Sequence, residues 1–120
     1  MNIKTANTIL YCKKWEETLV FYRDRLCLEI SLSKAWFVEF ILNKDARLSI
    51  ANENKTTIPS AGGQGITLSF EVPSIEDSHS HMQKSGLAPS PIRNHPWHAR
   101  VFYLYDPEGN RLEFWMSCPQ

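Results

Sequence analysis

Arg100 to Met116 reads RVFYLYDPEGNRLEFWM, and this stretch predicts a β-hairpin. Two runs rich in aromatic and branched residues flank Asp106-Pro107-Glu108-Gly109. In that turn Pro107 presets φ, and Gly109 accepts the positive φ that a tight reversal needs. The hairpin therefore supplies the last two strands of a sheet.

The residues before the hairpin complete a βαβββ pattern. Ile66 to Val72 alternates like a half-buried strand, and Ser74 is placed to cap a helix that Gly86 ends. Ala88 to Ile92 is either an edge strand or irregular, because its two prolines cannot donate to a ladder.

The first half of the chain repeats the same order of elements. The expected elements are a strand at Thr5–Cys12, a helix at Trp15–Leu26 and strands at Leu28–Leu32, Trp36–Leu42 and Arg47–Ala51. We therefore expect an α+β fold with module one at 5–52, a surface linker at 53–63 and module two at 64–117. Two such modules can each contribute an open sheet to one curved cavity.

Length and charge narrow the class of protein. The 120 residues suit one domain, and 13 basic against 13 acidic residues give zero net charge. Nucleic acid and anionic membranes are therefore not expected partners. The start, MNIKTANTIL, lacks the features of a secretory signal, which favours a cytoplasmic protein.

Two stretches resemble a known superfamily. Glu17–Leu28, ETLVFYRDRLCL, is similar to the helix-and-turn signature of the vicinal oxygen chelate superfamily, and Tyr105–Phe114, YDPEGNRLEF, is similar to its closing hairpin. That superfamily includes glyoxalase I, extradiol dioxygenases and bleomycin-resistance proteins. The resemblance implies eight strands in two βαβββ modules, forming a curved sheet around a cavity, and usually a homodimer with sites between modules.

The resemblance also implies four metal-ligand positions. They fall on Asn7, Ser49, Thr67 and Glu113. Of these, Glu113 alone is a strong ligand, because such sites are built from imidazole, thiolate and carboxylate donors. We therefore expect no metal and no other cofactor, and a polar patch that orients a small molecule instead.

Strand alternation predicts the lining of that pocket. Arg111 and Trp115 share the face of Glu113, and pairing across the hairpin brings Tyr103 beside it. The candidate ligand-binding residues are Asn7, Tyr11, Trp36, Ser49, Thr67, Trp97, Tyr103, Arg111, Glu113 and Trp115. The alternative is that these strand residues form an ordinary solvated face and that the tryptophans fill the core or a dimer interface.

The histidines add one catalytic candidate. His79 and His81 stand two apart on the second helix, so they cannot grip a metal together and are expected to be exposed. His98, in the loop before the seventh strand, could act as a general acid or base near neutral pH.

Three functional hypotheses follow. The first is a metal-free protein that binds a small, partly aromatic molecule. The second is an enzyme: a glyoxalase-type lyase or extradiol dioxygenase with a divergent metal site using Glu113 and His98, or a metal-free isomerase with Glu113 as base. The third is a noncatalytic dimer or partner-binding module whose aromatic face is an interface.

Overall fold

The computed structural model describes residues 1–97 and 99–118 of the chain. Within these residues the strands form two four-stranded sheets, each combined with helical segments, which confirms the α+β class and the duplicated βαβββ order. The eight strands are thus divided between two hydrogen-bonded sheets. Two compact units contain them, Met1–Gly62 and the residues from Gly63 onward.

The first unit is a sheet in the order β1-β4-β3-β2 with one helical segment. Strands β1 and β4 run parallel, whereas the other neighbours run antiparallel. Its elements are β1 (Ala6–Cys12), α1 (Trp15–Val20), a π-helical segment (Phe21–Arg25), β2 (Glu29–Lys34), β3 (Phe37–Asn43), β4 (Ala46–Asn52) and a 3₁₀ turn (Glu53–Lys55).

The first helix differs from the regular amphipathic helix that its spacing predicts. It changes to π geometry at Phe21, where the Leu26 amide donates to the Phe21 carbonyl at 2.9 Å, five residues back. The adjacent residues Phe21 and Tyr22 are both buried at this wider turn. Thr18 is also fully buried. Its hydroxyl is satisfied within the helix, because it donates to the Lys14 carbonyl at 2.7 Å.

The second unit repeats the topology in the order β5-β8-β7-β6. Ser74 caps its helix as predicted, since the Ser74 hydroxyl accepts from the Asp77 amide at 3.2 Å, and Gly86 follows the helix with φ of 79°. The elements are β5 (Thr67–Glu71), α2 (Ile75–Lys84), β6 (Arg93–His95), β7 (Ala99–Tyr105) and β8 (Arg111–Ser117).

The sixth strand lies after the stretch that was considered for it. Ala88 to Ile92 is irregular, and the three residues Arg93–His95 pair with β7 at the sheet edge. The prolines at 89 and 91 explain the shift, because each removes a backbone donor that a strand would use.

Each sheet buries its helix-facing side, and its other side mixes polar side chains with aromatic and apolar ones. In the first unit Val38, Phe40, Leu48 and Ile50 are almost completely buried. In the second, Phe102 stacks on Phe114 with 5.1 Å between ring centres. Alternation therefore turns the odd-numbered residues of β1, β3, β4, β5, β7 and β8 away from the helices.

No helix among the described residues is long and apolar enough to cross a bilayer.

Candidate functional site

A hydrogen-bonded row of polar side chains crosses the first sheet. The Ser49 hydroxyl donates to Asn7 Oδ1 at 2.9 Å, and Asn7 Nδ2 donates to Glu39 Oε1 at 3.3 Å. On the far side, the Ser31 hydroxyl donates to Glu39 Oε2 at 2.6 Å. The two predicted positions, Asn7 and Ser49, thus meet in one cluster.

Glu39 and Ser31 are the members that sequence reasoning missed. Glu39 pairs in register with Ser49 and alternates with the buried Val38 and Phe40. The alternation was therefore a sufficient signal for Glu39 once Ser49 had been chosen. Ser31 lies beside a register shift in β2, which no sequence pattern indicated.

The second sheet carries a different cluster around Glu113. Tyr103 pairs with Glu113 across β7 and β8, which confirms the predicted register. Glu113 Oε1 accepts from the Ser69 hydroxyl at 2.6 Å, and Ser69 was also missed. Trp115 follows two residues later on the same face, half-buried.

Arg111 is held by two contacts on this face. Its Nε donates to the Thr67 hydroxyl oxygen at 3.1 Å, and its guanidinium carbon lies 4.8 Å from the centre of the Tyr103 ring. The face of a tyrosine ring attracts a cation, so this position is favourable for the charge. Four predicted residues, Thr67, Tyr103, Arg111 and Glu113, are therefore neighbours.

The two sheets place their residues in equivalent registers. In the first sheet β1 pairs Asn7 with Arg47, and β3 pairs Glu39 with Ser49. In the second, β5 pairs Thr67 with Arg111, and β7 pairs Tyr103 with Glu113. By this register the equivalent pairs are Asn7 and Thr67, Arg47 and Arg111, Ser49 and Glu113, and Glu39 and Tyr103.

The turns before the equivalent arginines are closed differently. Arg47 Nη1 donates to the carbonyls of Asn43, Lys44 and Ala46 at 2.6, 3.3 and 3.0 Å. The turn before Arg111 is closed by the buried Asp106 instead.

The Asp106 carboxylate accepts three hydrogen bonds in the second turn, beside the backbone bonds that also close it. Its Oδ1 accepts from the amides of Glu108 and Asn110, each at 2.9 Å, and its Oδ2 accepts from Asn110 Nδ2 at 2.9 Å. Gly109 has φ of 89°, as the turn prediction required. Arg111 is therefore not needed for closure and can extend over the sheet.

The backbone of Tyr103 is fixed by the segment that precedes β6. Ser90 exchanges two hydrogen bonds with it, since the Tyr103 amide donates to Ser90 Oγ at 2.8 Å and the Ser90 amide donates to the Tyr103 carbonyl at 2.9 Å. His79 Nε2 lies 2.9 Å from the Ser90 carbonyl, and its ring packs edge-on against Phe102. The expectation that His79 is exposed was wrong, because this packing half-buries it.

The remaining predicted residues are more scattered. Tyr11 is half-buried on the face of Asn7, and Trp36 lies in the turn before β3, 38% exposed, with its ring 5.6 Å from that of Phe37. Trp97 is 80% exposed in the turn after β6. His98 lies outside the described residues.

The donor set does not fit a catalytic metal. No group of three His, Cys, Asp or Glu residues that could hold an ion occurs within 1–97 and 99–118. At the four positions named by the resemblance, the oxygens of Asn7 and Thr67 already accept hydrogen bonds, and the donor to Thr67 is a cation. The Arg111 guanidinium lies so close to the Thr67 hydroxyl that it would repel a divalent ion bound there.

The sequence profile described as a Glyoxalase-like domain matches residues 5–118. The chain belongs to this family. The match covers both βαβββ modules and confirms the resemblance to glyoxalase-type proteins that Glu17–Leu28 and Tyr105–Phe114 predict. No curated protein matches the chain.

Solved structures of this fold are similar over almost the whole chain. A glyoxalase/bleomycin resistance protein/dioxygenase from Nocardioides has a TM-score of 0.80 at 21% identity, covering 98% of this chain and 85% of that one. Lactoylglutathione lyase from Agrobacterium tumefaciens has 0.75 at 18%, with 92% and 91% covered. TnmS3, an antibiotic binding protein from Streptomyces sp. CB03234, has 0.77 at 16%, with 98% and 96% covered. At these identities the similarity establishes the fold alone.

Proposed function

We propose that this glyoxalase-like protein binds a small, partly aromatic molecule without a metal. The proposal rests on the donor groups at the family's four ligand positions. These positions hold an amide, two hydroxyls and only one carboxylate, whereas divalent ions prefer a full set of imidazoles and carboxylates. Three of these four groups accept hydrogen bonds from neighbouring side chains.

The same groups suit recognition of an organic ligand. Ligand sites combine aromatic and apolar walls with a few well-placed polar groups. On the second sheet, Tyr103 and Trp115 supply aromatic surface, and Arg111 and Glu113 supply opposite charges. The TnmS3 relative, named an antibiotic binding protein, is a precedent for binding on this fold.

A fluorescence titration tests the proposal. The intrinsic tryptophan emission is followed as neutral and charged aromatic compounds are added, with and without EDTA. We expect saturable binding of at least one compound, with a Kd that EDTA and added Zn²⁺ or Ni²⁺ leave unchanged. Absence of binding across the panel, or binding that EDTA abolishes, contradicts the proposal.

Glu113 favours a second candidate function, an enzyme of the glyoxalase-lyase or extradiol-dioxygenase kind, or an isomerase with Glu113 as base. It is the one family ligand position that retains a carboxylate, and lactoylglutathione lyase is among the relatives. The test is Glu113→Gln against the control Asp77→Asn on the helix side of the same sheet. Any activity found in the wild type and kept by Glu113→Gln excludes this candidate.

We also propose that the protein forms a homodimer. The outer strand β2 is exposed along its length and presents Ile30 and Leu32, 37% and 44% exposed, beside an edge that no described strand pairs with. Such an edge is a template for pairing with another chain. Sedimentation at micromolar concentration should give a dimer, and a monomer would contradict this assembly.

A further inference from the structure

The guanidinium of Arg111 is positioned but not neutralised. Its Nε–H is the only side-chain N–H of Arg111 with a protein acceptor among residues 1–97 and 99–118. The ion pairs Arg23–Asp24 and Arg100–Glu76 do not involve Arg111. Its two terminal amino groups therefore remain available to an acceptor from outside the protein.

Those amino groups have the geometry that a carboxylate matches. Arginine presents its donors in a planar fork, and carboxylates accept two parallel hydrogen bonds from it. The contacts to Thr67 and Tyr103 fix the plane of the group before any ligand arrives. Preorganisation of this kind lowers the entropy cost of binding.

The neighbours along β8 define the rest of the ligand. Glu113 and Trp115 follow Arg111 at intervals of two residues, about 6.6 Å each along a strand. Glu113 keeps a multiply charged anion away and can accept from a hydroxyl or amine, and the rings of Tyr103 and Trp115 provide flat apolar surface. A ligand that fits this face therefore carries an anionic group for Arg111, a hydrogen-bond donor for Glu113 and a planar body for the two rings.

We propose that the ligand is a planar organic monocarboxylate whose carboxylate binds the terminal amino groups of Arg111. This inference rests on the proposed function and adds the chemical class of its ligand. It assigns to Arg111 the recognition of charge and to Tyr103 the holding of the guanidinium.

The test compares naphthoate with its uncharged counterpart, naphthamide. Both probes are titrated by tryptophan fluorescence into the wild type, into Arg111→Gln and into Arg100→Gln. Arg100→Gln is the control because it removes the same charge from the helix side of the same sheet.

We expect the wild type to bind naphthoate about ten- to a hundredfold more tightly than naphthamide. Arg111→Gln should remove this preference and leave naphthamide binding unchanged, whereas Arg100→Gln should keep the preference. Equal binding of the two probes by the wild type, or a preference that survives Arg111→Gln, overturns the carboxylate assignment while the proposed binding function stands. Failure of both probes to bind overturns the carboxylate assignment, whereas the proposed binding function fails only if the whole panel of aromatic compounds also fails to bind.

Discussion

The two sheets share topology and register but use equivalent arginines differently. Arg47 reaches back to three carbonyls of its own turn, whereas Arg111 reaches forward to Thr67 and Tyr103. The turns differ as well, because the buried Asp106 carboxylate accepts three hydrogen bonds in the second turn, whereas the exposed Asn43 side chain accepts one in the first. The turn with the buried carboxylate is thus the one whose following arginine extends over the face of the sheet.

The polar faces differ in the same sense. Both carboxylate oxygens of Glu39 accept hydrogen bonds within the first sheet, and Ser49 is fully buried beneath them. On the second sheet Arg111 keeps donors that no described residue accepts. We therefore propose that the second face contributes more to ligand recognition than the first.

The largest effect should come from the turn that makes the sheets different. Asp106→Ala leaves the buried amides of Glu108 and Asn110 without their acceptor, and should lower the free energy of unfolding by about 3 kcal/mol. Asn43→Ala removes one exposed acceptor from the equivalent turn and should cost below about 1 kcal/mol. Urea unfolding measures both, and equal losses would refute the asymmetry.

Replacing each of the two equivalent arginines by glutamine should show that one acts in ligand binding and the other in stability. Arg111→Gln should weaken naphthoate binding at least about tenfold with a stability change below about 1 kcal/mol. Arg47→Gln should leave binding unchanged and cost about 1 kcal/mol, because three turn carbonyls lose their donor. Titration and urea unfolding of both variants check this, and a binding defect in Arg47→Gln would break the comparison.

The serines on the two faces should differ modestly. Ser49→Ala removes a fully buried hydroxyl that donates to Asn7, and should cost about 1 kcal/mol. Ser69→Ala removes an exposed donor to Glu113 and should stay within about 0.5 kcal/mol. Thermal or urea unfolding distinguishes them, and a larger cost for Ser69→Ala would reverse the roles assigned to the faces.

The smallest effect concerns an ion pair between α2 and β7. The Arg100 guanidinium bonds to the exposed Glu76 carboxylate and lowers the pKa of Glu76 below its ordinary value. A lowered folded-state pKa gives stability that is present above the ordinary pKa and lost as pH falls through the lowered one. The stability difference between wild type and Glu76→Gln should therefore vanish in acid, and a pH-independent difference would contradict it.

Sequence patterns predicted the architecture well, because both the repeated order of elements and the alternation along each strand are visible in the order of the residues. The hairpin at Asp106, the Ser74 cap and the pairing of Tyr103 with Glu113 all follow from spacing. The π turn at Phe21 did not, because a helix of either type satisfies the same apolar spacing.

The candidate site was predicted in outline and not in its contacts. Strand alternation placed Arg111 on the correct face, but the direction of its long side chain depends on what closes the turn before it. Glu39 was readable from its register with Ser49, whereas Ser31 depends on the irregularity in β2.

The central claim, that this glyoxalase-like chain works without a metal, is tested most directly by metal content. Protein purified without chelator and without an affinity tag is measured by plasma mass spectrometry for Ni, Zn, Fe and Mn. We expect far less than one ion per chain. Near-stoichiometric metal would contradict this expectation. It would mean that Asn7, Ser49, Thr67 and Glu113 are not the correct ligand positions in this chain.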